Sequence, residues 1–332
     1  YERLRWRNRK GMDKKARELL VKVQRNQTFP KLWWRERSRQ IRSALGTGEY
    51  NEAYKLALGH IQTNHYTKAE ADWTAGWIAL RYADKPIEAA KYFTIMYRLV
   101  KTPLSKSRAA YWAGRAFQAA FKTDVSNSWY NLAANYQTTF YGQLAQKTRL
   151  VEPSNSPTPP PSKIQYDEGT DIEFYIETII ALHSINKKKL ARKFLKALAR
   201  SNISKENFLR LATLANQIGY RDVTVYIARK AARKGVFLMH LGYPIIKLPY
   251  KSGVEPALIL SVIRQESNFD KKAKSRRGAM GYMQLMPKTA RELGKILKVN
   301  FTLAQLKNNP TLNIILGSEY LRRLIEKFDG SY

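Results

Sequence analysis

From residue 11 to about residue 150 apolar residues recur at three- and four-residue spacing, and no segment anywhere in the chain alternates at period two. That pattern restricts the chain to helices packed on helices. Two short patterns also repeat. Glu52-Ala53-x-Lys55 returns as Glu88-Ala89-x-Lys91, and Ala75-Gly76 returns as Ala113-Gly114, each small pair beside a tryptophan. A period in the mid-thirties is that of helical hairpins stacked in a solenoid, with Gly and Ala at the close crossings. Trp73, Trp77, Tyr111 and Trp112 could line a sugar- or base-binding surface, but at these spacings packing between helices is the expected role.

Two breaks divide the helical pattern. Pro153 to Ser162 holds five prolines in ten residues and is expected to be an exposed connector. Helical periodicity resumes at about Asp171 and runs to Lys234, and Gly242-Tyr-Pro244 and Leu248-Pro249 then interrupt it. The expected organisation is a helical domain over 1–150, a linker and further helices over 151–240, and a small α domain over 241–332.

With 44% hydrophobic residues the 332-residue chain can build more than one core. It has no cysteine, which excludes disulfides and thiolate zinc sites, and His60, His65, His183 and His240 show no metal-ligand spacing. No metal or cofactor is expected. No apolar run is long enough to span a bilayer. The chain begins at Tyr1 and contains no signal-peptide apolar region, so a processed start is expected. Its formal charge is +33, with fifteen Lys and Arg against four acids in residues 1–42 alone. Such an excess suits polyanions: nucleic acid, acidic membrane, or peptidoglycan with its peptide carboxylates.

The C-terminal domain carries the chemistry. Pro256 suits the first turn of a helix reaching about Ser267. Ile259, Val262, Ile263 and Glu266 fall at i, i+3, i+4 and i+7, so the glutamate is expected to continue the apolar stripe. A carboxyl group held there, near the negative end of the helix dipole, would stay protonated toward neutrality and could act as a general acid. The plain alternative is an ion pair with Arg264 or a lysine of the next loop. Beyond it, Gly278 and Gly281 allow tight backbone turns, and Gln284 offers both a donor and an acceptor. Met280, Met283 and Met286 are expected to form a dry, adaptable wall. Pro287 opens another helix, to about Lys298. Together these describe a cleft for a neutral, polar, flat-faced ligand such as a sugar.

The run Ile263-Arg-Gln-Glu-Ser267, Ser275 nine residues past the glutamate, and Gly278-Ala-Met-Gly-Tyr-Met-Gln-Leu-Met-Pro-Lys-Thr-Ala290 closely resemble soluble lytic murein transglycosylases. Asn313-Ile-Ile-Leu-Gly-Ser-Glu-Tyr-Leu321 does so too. Ala71-Asp-Trp-Thr-Ala-Gly-Trp-Ile-Ala-Leu-Arg81, Ser107-Arg-Ala-Ala-Tyr-Trp-Ala-Gly-Arg-Ala116 and Thr139-Phe-Tyr-Gly-Gln-Leu-Ala145 look like the superhelical domain of the large enzymes of that family. The resemblance implies an all-α fold, a superhelical, TPR-like solenoid of helix hairpins followed by a lysozyme-like α domain.

It further implies a periplasmic, monomeric enzyme that cleaves the β-1,4 bond between N-acetylmuramic acid and N-acetylglucosamine in peptidoglycan glycan strands. In such enzymes one glutamate, here Glu266, protonates the glycosidic oxygen and then takes the proton from the muramoyl C6 hydroxyl, closing a 1,6-anhydro ring. No second carboxylate is needed, unlike ordinary glycosidases. Ser275 is implied near that carboxylate, and Gln284 and Met286 in the saccharide cleft with Gly281, Tyr282 and Met283. Asp270, beside Lys271 and Lys272, reads as a solvated loop charge. In the family the domain continues past the Phe-x-Gly seen as Phe328-Asp-Gly330 into a Tyr-Asn-Ala-Gly segment, so an incomplete C-terminal domain is expected.

Two other functions remain. Gly278-x-x-Gly281 flanked by cations resembles the KH loop that clamps nucleic-acid backbones, but a KH unit needs strands and none is expected here. The chain could also be a helical scaffold that binds glycan without cleaving it.

Overall fold

The computed structural model describes residues 1–22, 28–60, 62–148, 172–249 and 252–330, which form two compact units on either side of residues 162 and 163. The proline-rich connector foreseen at 153–162 lies outside the described residues.

The first unit is a run of antiparallel helices: α1 (Glu2–Arg9), α2 (Asp13–Val21), α3 (Pro30–Gly46), α4 (Tyr50–Leu58), α5 (His65–Arg81), α6 (Pro86–Leu99), α7 (Pro103–Ala119), α8 (Thr123–Ala134) and α9 (Phe140–Thr148). Proline at the first helical position starts α3, α6 and α7, where its fixed φ and missing N–H cost nothing. From α3 onward each helix packs on the next.

The repeats found in the sequence mark equivalent crossings in this array. Glu52 and Glu88 begin α4 and α6, while Gly76 and Gly114 lie within α5 and α7. A Cβ on Gly76 would come within 3.0 Å of the Phe93 ring on α6, and one on Gly114 within 2.8 Å of Tyr130 on α8. Each glycine thus admits an aromatic ring of the following helix. Tyr111 is buried in a cluster with Tyr130, and Trp73, Trp77 and Trp112 pack against the core that holds Phe93, so these aromatics are used between helices. Arg108 lies with its guanidinium 3.5 Å from the centre of the Trp73 ring.

The second unit contains α10 (Ile172–Ser184), α11 (Lys188–Leu198), α12 (Lys205–Gln217), α13 (Arg221–Arg233), α14 (Met239–Gly242), α15 (Pro256–Ser267), α16 (Pro287–Ile296), α17 (Leu303–Asn308) and α18 (Pro310–Lys327). Helices α10 to α13 share one apolar core built on Ile179, Leu195, Phe208, Leu211 and Ile227. Val225 of α13 belongs instead to a second core with Ile259, Ile263, Phe269, Tyr282, Met283 and Ile314. The helical region before residue 240 therefore shares packing with the segment after it. A third cluster gathers Met280, Leu285, Leu293, Leu306 and Leu316. No strand forms among the described residues; the loop between α15 and α16 holds only isolated bridges, Lys274 with Met280 and Met280 with Leu285.

Candidate active site

Helix α15 begins at Pro256 and ends at Ser267, as the sequence pattern indicates. Its buried stripe is Ile259, Ile263 and Ser267, at i, i+4 and i+8. Glu266 falls one residue off that stripe and is exposed. This corrects the expectation that it faces the core: the apolar row drifts around the helix by its last turn, and the serine takes the inward position. The desolvation invoked for the carboxyl group is not supplied by the described residues.

The ion-pair alternative is not realised either. The Glu266 side chain makes no hydrogen bond or ion pair with any described residue. Arg264 is engaged elsewhere, donating from Nε to the Gly242 carbonyl at 2.7 Å, with its guanidinium 4.1 Å from the centre of the Tyr243 ring. Asp270, the rival carboxylate, accepts from the Lys272 backbone N–H at 2.9 Å and so caps its own loop. A hollow of about 250 Å³ beside α15, lined by Tyr243, Ile245, Leu260, Arg264 and Phe269 among others, does not include Glu266. No cluster of three His, Asp or Glu among the described residues could hold a metal ion.

The end of α15 is fixed from outside. Arg229 on α13 donates from Nη1 to the Arg264 carbonyl at 3.1 Å and to Asn268 Oδ1 at 2.7 Å, and from Nη2 to Gln265 Oε1 at 3.0 Å. The Arg264 carbonyl already accepts from Asn268 N–H, so Arg229 adds a second donor there, and its charge suits the negative end of the helix dipole. Asn268 and Phe269 then take left-handed conformations in succession, turning the chain away while Phe269 enters the core against Tyr282.

The loop that follows is hydrogen-bonded throughout. Ser275 N–H donates to the Ala279 carbonyl at 2.9 Å, and Gly278 N–H to the Ser275 carbonyl at 3.0 Å. The Ser275 hydroxyl oxygen accepts from Ala279 N–H at 3.0 Å. Met280 and Leu285 exchange both backbone bonds at 3.0 and 3.1 Å. Gln284 sits between them with φ 48° and donates from Nε2 to the carbonyls of Gly281, at 2.9 Å, and Ala273, at 3.3 Å.

Asn313, fully buried on α18, pins this turn. Its Oδ1 accepts from Met283 N–H at 2.8 Å, and its Nδ2 donates to the carbonyls of Met280 at 2.9 Å and Leu306 at 3.1 Å. Gly281 makes room for it: with φ 76°, a Cβ there would lie 2.3 Å from Asn313 Nδ2. Gly317 does the same for Met283, whose sulfur would be 2.3 Å from an added Cβ.

The expected methionine wall is therefore revised. Met280 and Met283 point into two different core clusters, Tyr282 and Gly281 are buried with them, and Met286 alone of the three methionines is exposed, at 43%. The tight turn closed by the Met280–Leu285 pair explains the difference: it sends Met280 and Leu285 to one core and Tyr282 and Met283, at its tip, to the other. No hydrogen bond joins Glu266 to Ser275 or Gln284. Arg229 and Asn313 were not singled out from the sequence. Asn313 had a readable signal, a polar residue in the apolar run of α18; Arg229 had none, because its partners lie 35 to 39 residues further along the chain.

Fold and site together define an array of helical hairpins in one unit and, in the other, a small α domain with the Glu266 carboxylate exposed on the last turn of α15. Residues 244–332 match the family model described as "Transglycosylase SLT domain", and that domain occupies this part of the chain. Among solved structures the chain is similar to an inactive mutant of the lytic transglycosylase Slt of Pseudomonas aeruginosa, with TM-score 0.55 and 20% identity over 92% of this chain and 55% of that one. It is also similar to the 70 kDa soluble lytic transglycosylase of Escherichia coli, with TM-score 0.52 and 18% identity over 89% of this chain and 54% of that one. The complex of the 70 kDa soluble lytic transglycosylase with bulgecin A gives TM-score 0.50 and 19% identity over 89% of this chain and 54% of that one. The chain thus spans about half the length of the structures it matches. These similarities establish the fold: helical hairpins followed by a lysozyme-like α domain.

Proposed function

We propose that this protein is a lytic transglycosylase acting on peptidoglycan, and that Glu266 carries the reaction. The observation that carries the proposal is the state of Glu266: an exposed carboxyl group on the last turn of α15, inside the matched domain, without a partner among the described residues. A carboxyl group so placed is free to meet substrate. Asp270, the carboxyl group closest to it in sequence, is committed to its own loop.

In this reading Glu266 protonates the glycosidic oxygen between N-acetylmuramic acid and N-acetylglucosamine. As carboxylate it then accepts the proton of the muramoyl C6 hydroxyl, whose oxygen attacks C1 and closes the 1,6-anhydro ring. Ser275, Gln284 and the exposed Met286 contact the saccharide, while Gly281, Tyr282 and Met283 hold the loop from beneath. In this reading the protein works in the periplasm, where that substrate lies, and acts as a monomer. No specific feature favours nucleic-acid binding at this loop: the cationic Gly278-x-x-Gly281 is closed by its own turn hydrogen bonds and has no strand beside it among the described residues.

The test is Glu266→Gln on purified sacculi. The substitution keeps shape but removes both the donor and the base, so release of muropeptides should fall by more than the roughly 10²- to 10⁴-fold typical of one acid–base group. Activity within about tenfold of wild type would remove Glu266 from the mechanism. Sacculus binding without release by the wild-type protein would leave a glycan-binding scaffold instead.

A further inference from the structure

The hairpin of α10 and α11 presents a surface that neither the fold nor the candidate active site uses. Residues 172–236 contain fourteen Lys and Arg against four Asp and Glu. The acids are partly spent: Glu173 pairs with Arg210, and Asp222 with Arg192 and Lys196. Lys187, Lys188, Lys189 and Lys193 are exposed and make no ion pair with a described residue.

Helix α11 buries Ala191, Leu195 and Leu198. On its outer half, however, Leu190 is 43% and Phe194 36% exposed, one turn apart and beside the row of Lys189 and Lys193. Ala197 extends the apolar row, and Ile185, 63% exposed, stands at the hairpin tip two residues before the first of three consecutive lysines. Exposed aliphatic and aromatic side chains set among unpaired lysines are the requirement of an interfacial membrane helix, in which apolar groups enter the headgroup boundary and cations meet anionic lipids.

We propose that the α10–α11 hairpin docks this protein on the surface of an anionic phospholipid bilayer, with Ile185, Leu190 and Phe194 inserted and Lys187, Lys188, Lys189 and Lys193 on the headgroups. Two features favour lipid over nucleic acid. Ile185 and Leu190 have no flat face on which a base could stack. The free cations are all lysines, point charges that suit a fluid array of headgroups and lack the fork that reads a fixed phosphodiester.

The experiment co-sediments the 332-residue chain with vesicles of phosphatidylcholine alone or of equal parts phosphatidylcholine and phosphatidylglycerol, at low and high salt. Binding is expected only to the anionic vesicles, weakening with salt. The triple variant Lys187→Glu/Lys188→Glu/Lys189→Glu should bind about 10²-fold more weakly or worse. Leu190→Ser/Phe194→Ser should weaken binding about tenfold at unchanged charge. A control with the same charge change on exposed positions of the other unit, Lys91→Glu/Arg98→Glu/Lys101→Glu, should stay within about threefold. All these positions are exposed or half-exposed, and thermal unfolding verifies that each variant is folded. Absence of binding, equal loss in the control, or full binding by the Leu190/Phe194 variant would each overturn the proposal. Tighter retention on single-stranded oligonucleotides than on vesicles would overturn it in favour of nucleic acid.

Discussion

Arg229 on α13 donates a hydrogen bond of 2.7 Å to Oδ1 of Asn268, the left-handed residue that ends α15 two positions after Glu266. The same guanidinium reaches the Arg264 carbonyl and the Gln265 side chain, so one cation holds three acceptors of the last helical turn. Burial, with Arg264 and Arg233 nearby, lowers the pKa of Arg229 from its ordinary value. The orientation of the candidate acid is therefore set by a helix outside the matched domain, which begins at residue 244.

Replacing Arg229 by Met keeps much of the apolar stem and removes the donors. Hydrogen bonds to a charged group contribute about 1.5–3 kcal/mol each, and they are not additive, so a loss of about 2–4 kcal/mol is expected. Urea unfolding measures it. Muropeptide release should fall more than this partial destabilisation explains, and Arg229→Lys should restore some of it, since a single ammonium can still reach Asn268 or the Arg264 carbonyl. Unchanged activity in Arg229→Met would show that α15 positions Glu266 without this contact.

Asn313 and Gly281 are coupled in the same way. Asn313→Ala leaves the Met283 N–H and the Leu306 carbonyl buried without a partner and takes from the Met280 carbonyl one of its two donors, the Leu285 N–H remaining. Each orphaned group costs about 1–3 kcal/mol, so a loss of about 3 kcal/mol or more is expected. Gly281→Ala puts a Cβ on Asn313 and strains a φ of 76°, and should be similarly damaging. In the double variant the clash is relieved, and the combined loss should be smaller than the sum of the singles. Strict additivity in a double-mutant cycle would show that the two residues do not share this contact.

These two residues also mark where the sequence stopped being readable. The limits of α15, the start of α16, and the glycine crossings of α5 and α7 all follow from local rules: proline at the first helical position, three- and four-residue spacing, and small residues at tight contacts. The inward or outward choice at Glu266 does not, because a drifting helical stripe leaves its last turn ambiguous until a neighbour packs against it. Met280 and Met283 were legible as apolar residues, yet whether they faced a cleft or a core depended on a turn whose pairing is closed by Asn313 from thirty residues away.

Glu319 offers a pH test of the second unit. It is almost fully buried on α18 and accepts from Arg322 Nε at 2.8 Å, Arg322 Nη2 at 2.7 Å and Arg323 Nε at 2.9 Å. These bonds, those from Arg322 foremost, hold its pKa below the usual carboxylate range against the opposing effect of burial. A depressed folded-state pKa stabilises the protein fully above the unfolded value, about 4.3, and that contribution disappears as pH falls through the folded value. The stability difference between wild type and Glu319→Gln should be constant near neutrality and shrink below about pH 4.3, as measured by urea unfolding. A difference that grows on acidification would mean that Glu319 is not held ionised by its arginines.

The last prediction separates transglycosylation from hydrolysis. A hydrolase needs a second carboxylate to place or replace a water molecule, and the candidate closest in sequence, Asp270, caps the Lys272 N–H instead. With Glu266 acting alone, the nucleophile is the substrate's own C6 hydroxyl, and an intramolecular nucleophile carries an effective molarity of about 10⁵ M or more in favourable geometry. Exclusion of water by a methionine wall adds little to this, since Met280 and Met283 are inside the core. Proximity alone has to favour the ring closure. Muropeptides released by the protein should therefore end in anhydromuramoyl groups, lighter than hydrolytic products by one water and resistant to borohydride reduction. Predominantly reducing muramic ends would mean a lysozyme-like hydrolase, and Asp270→Asn would then have to abolish release as completely as Glu266→Gln.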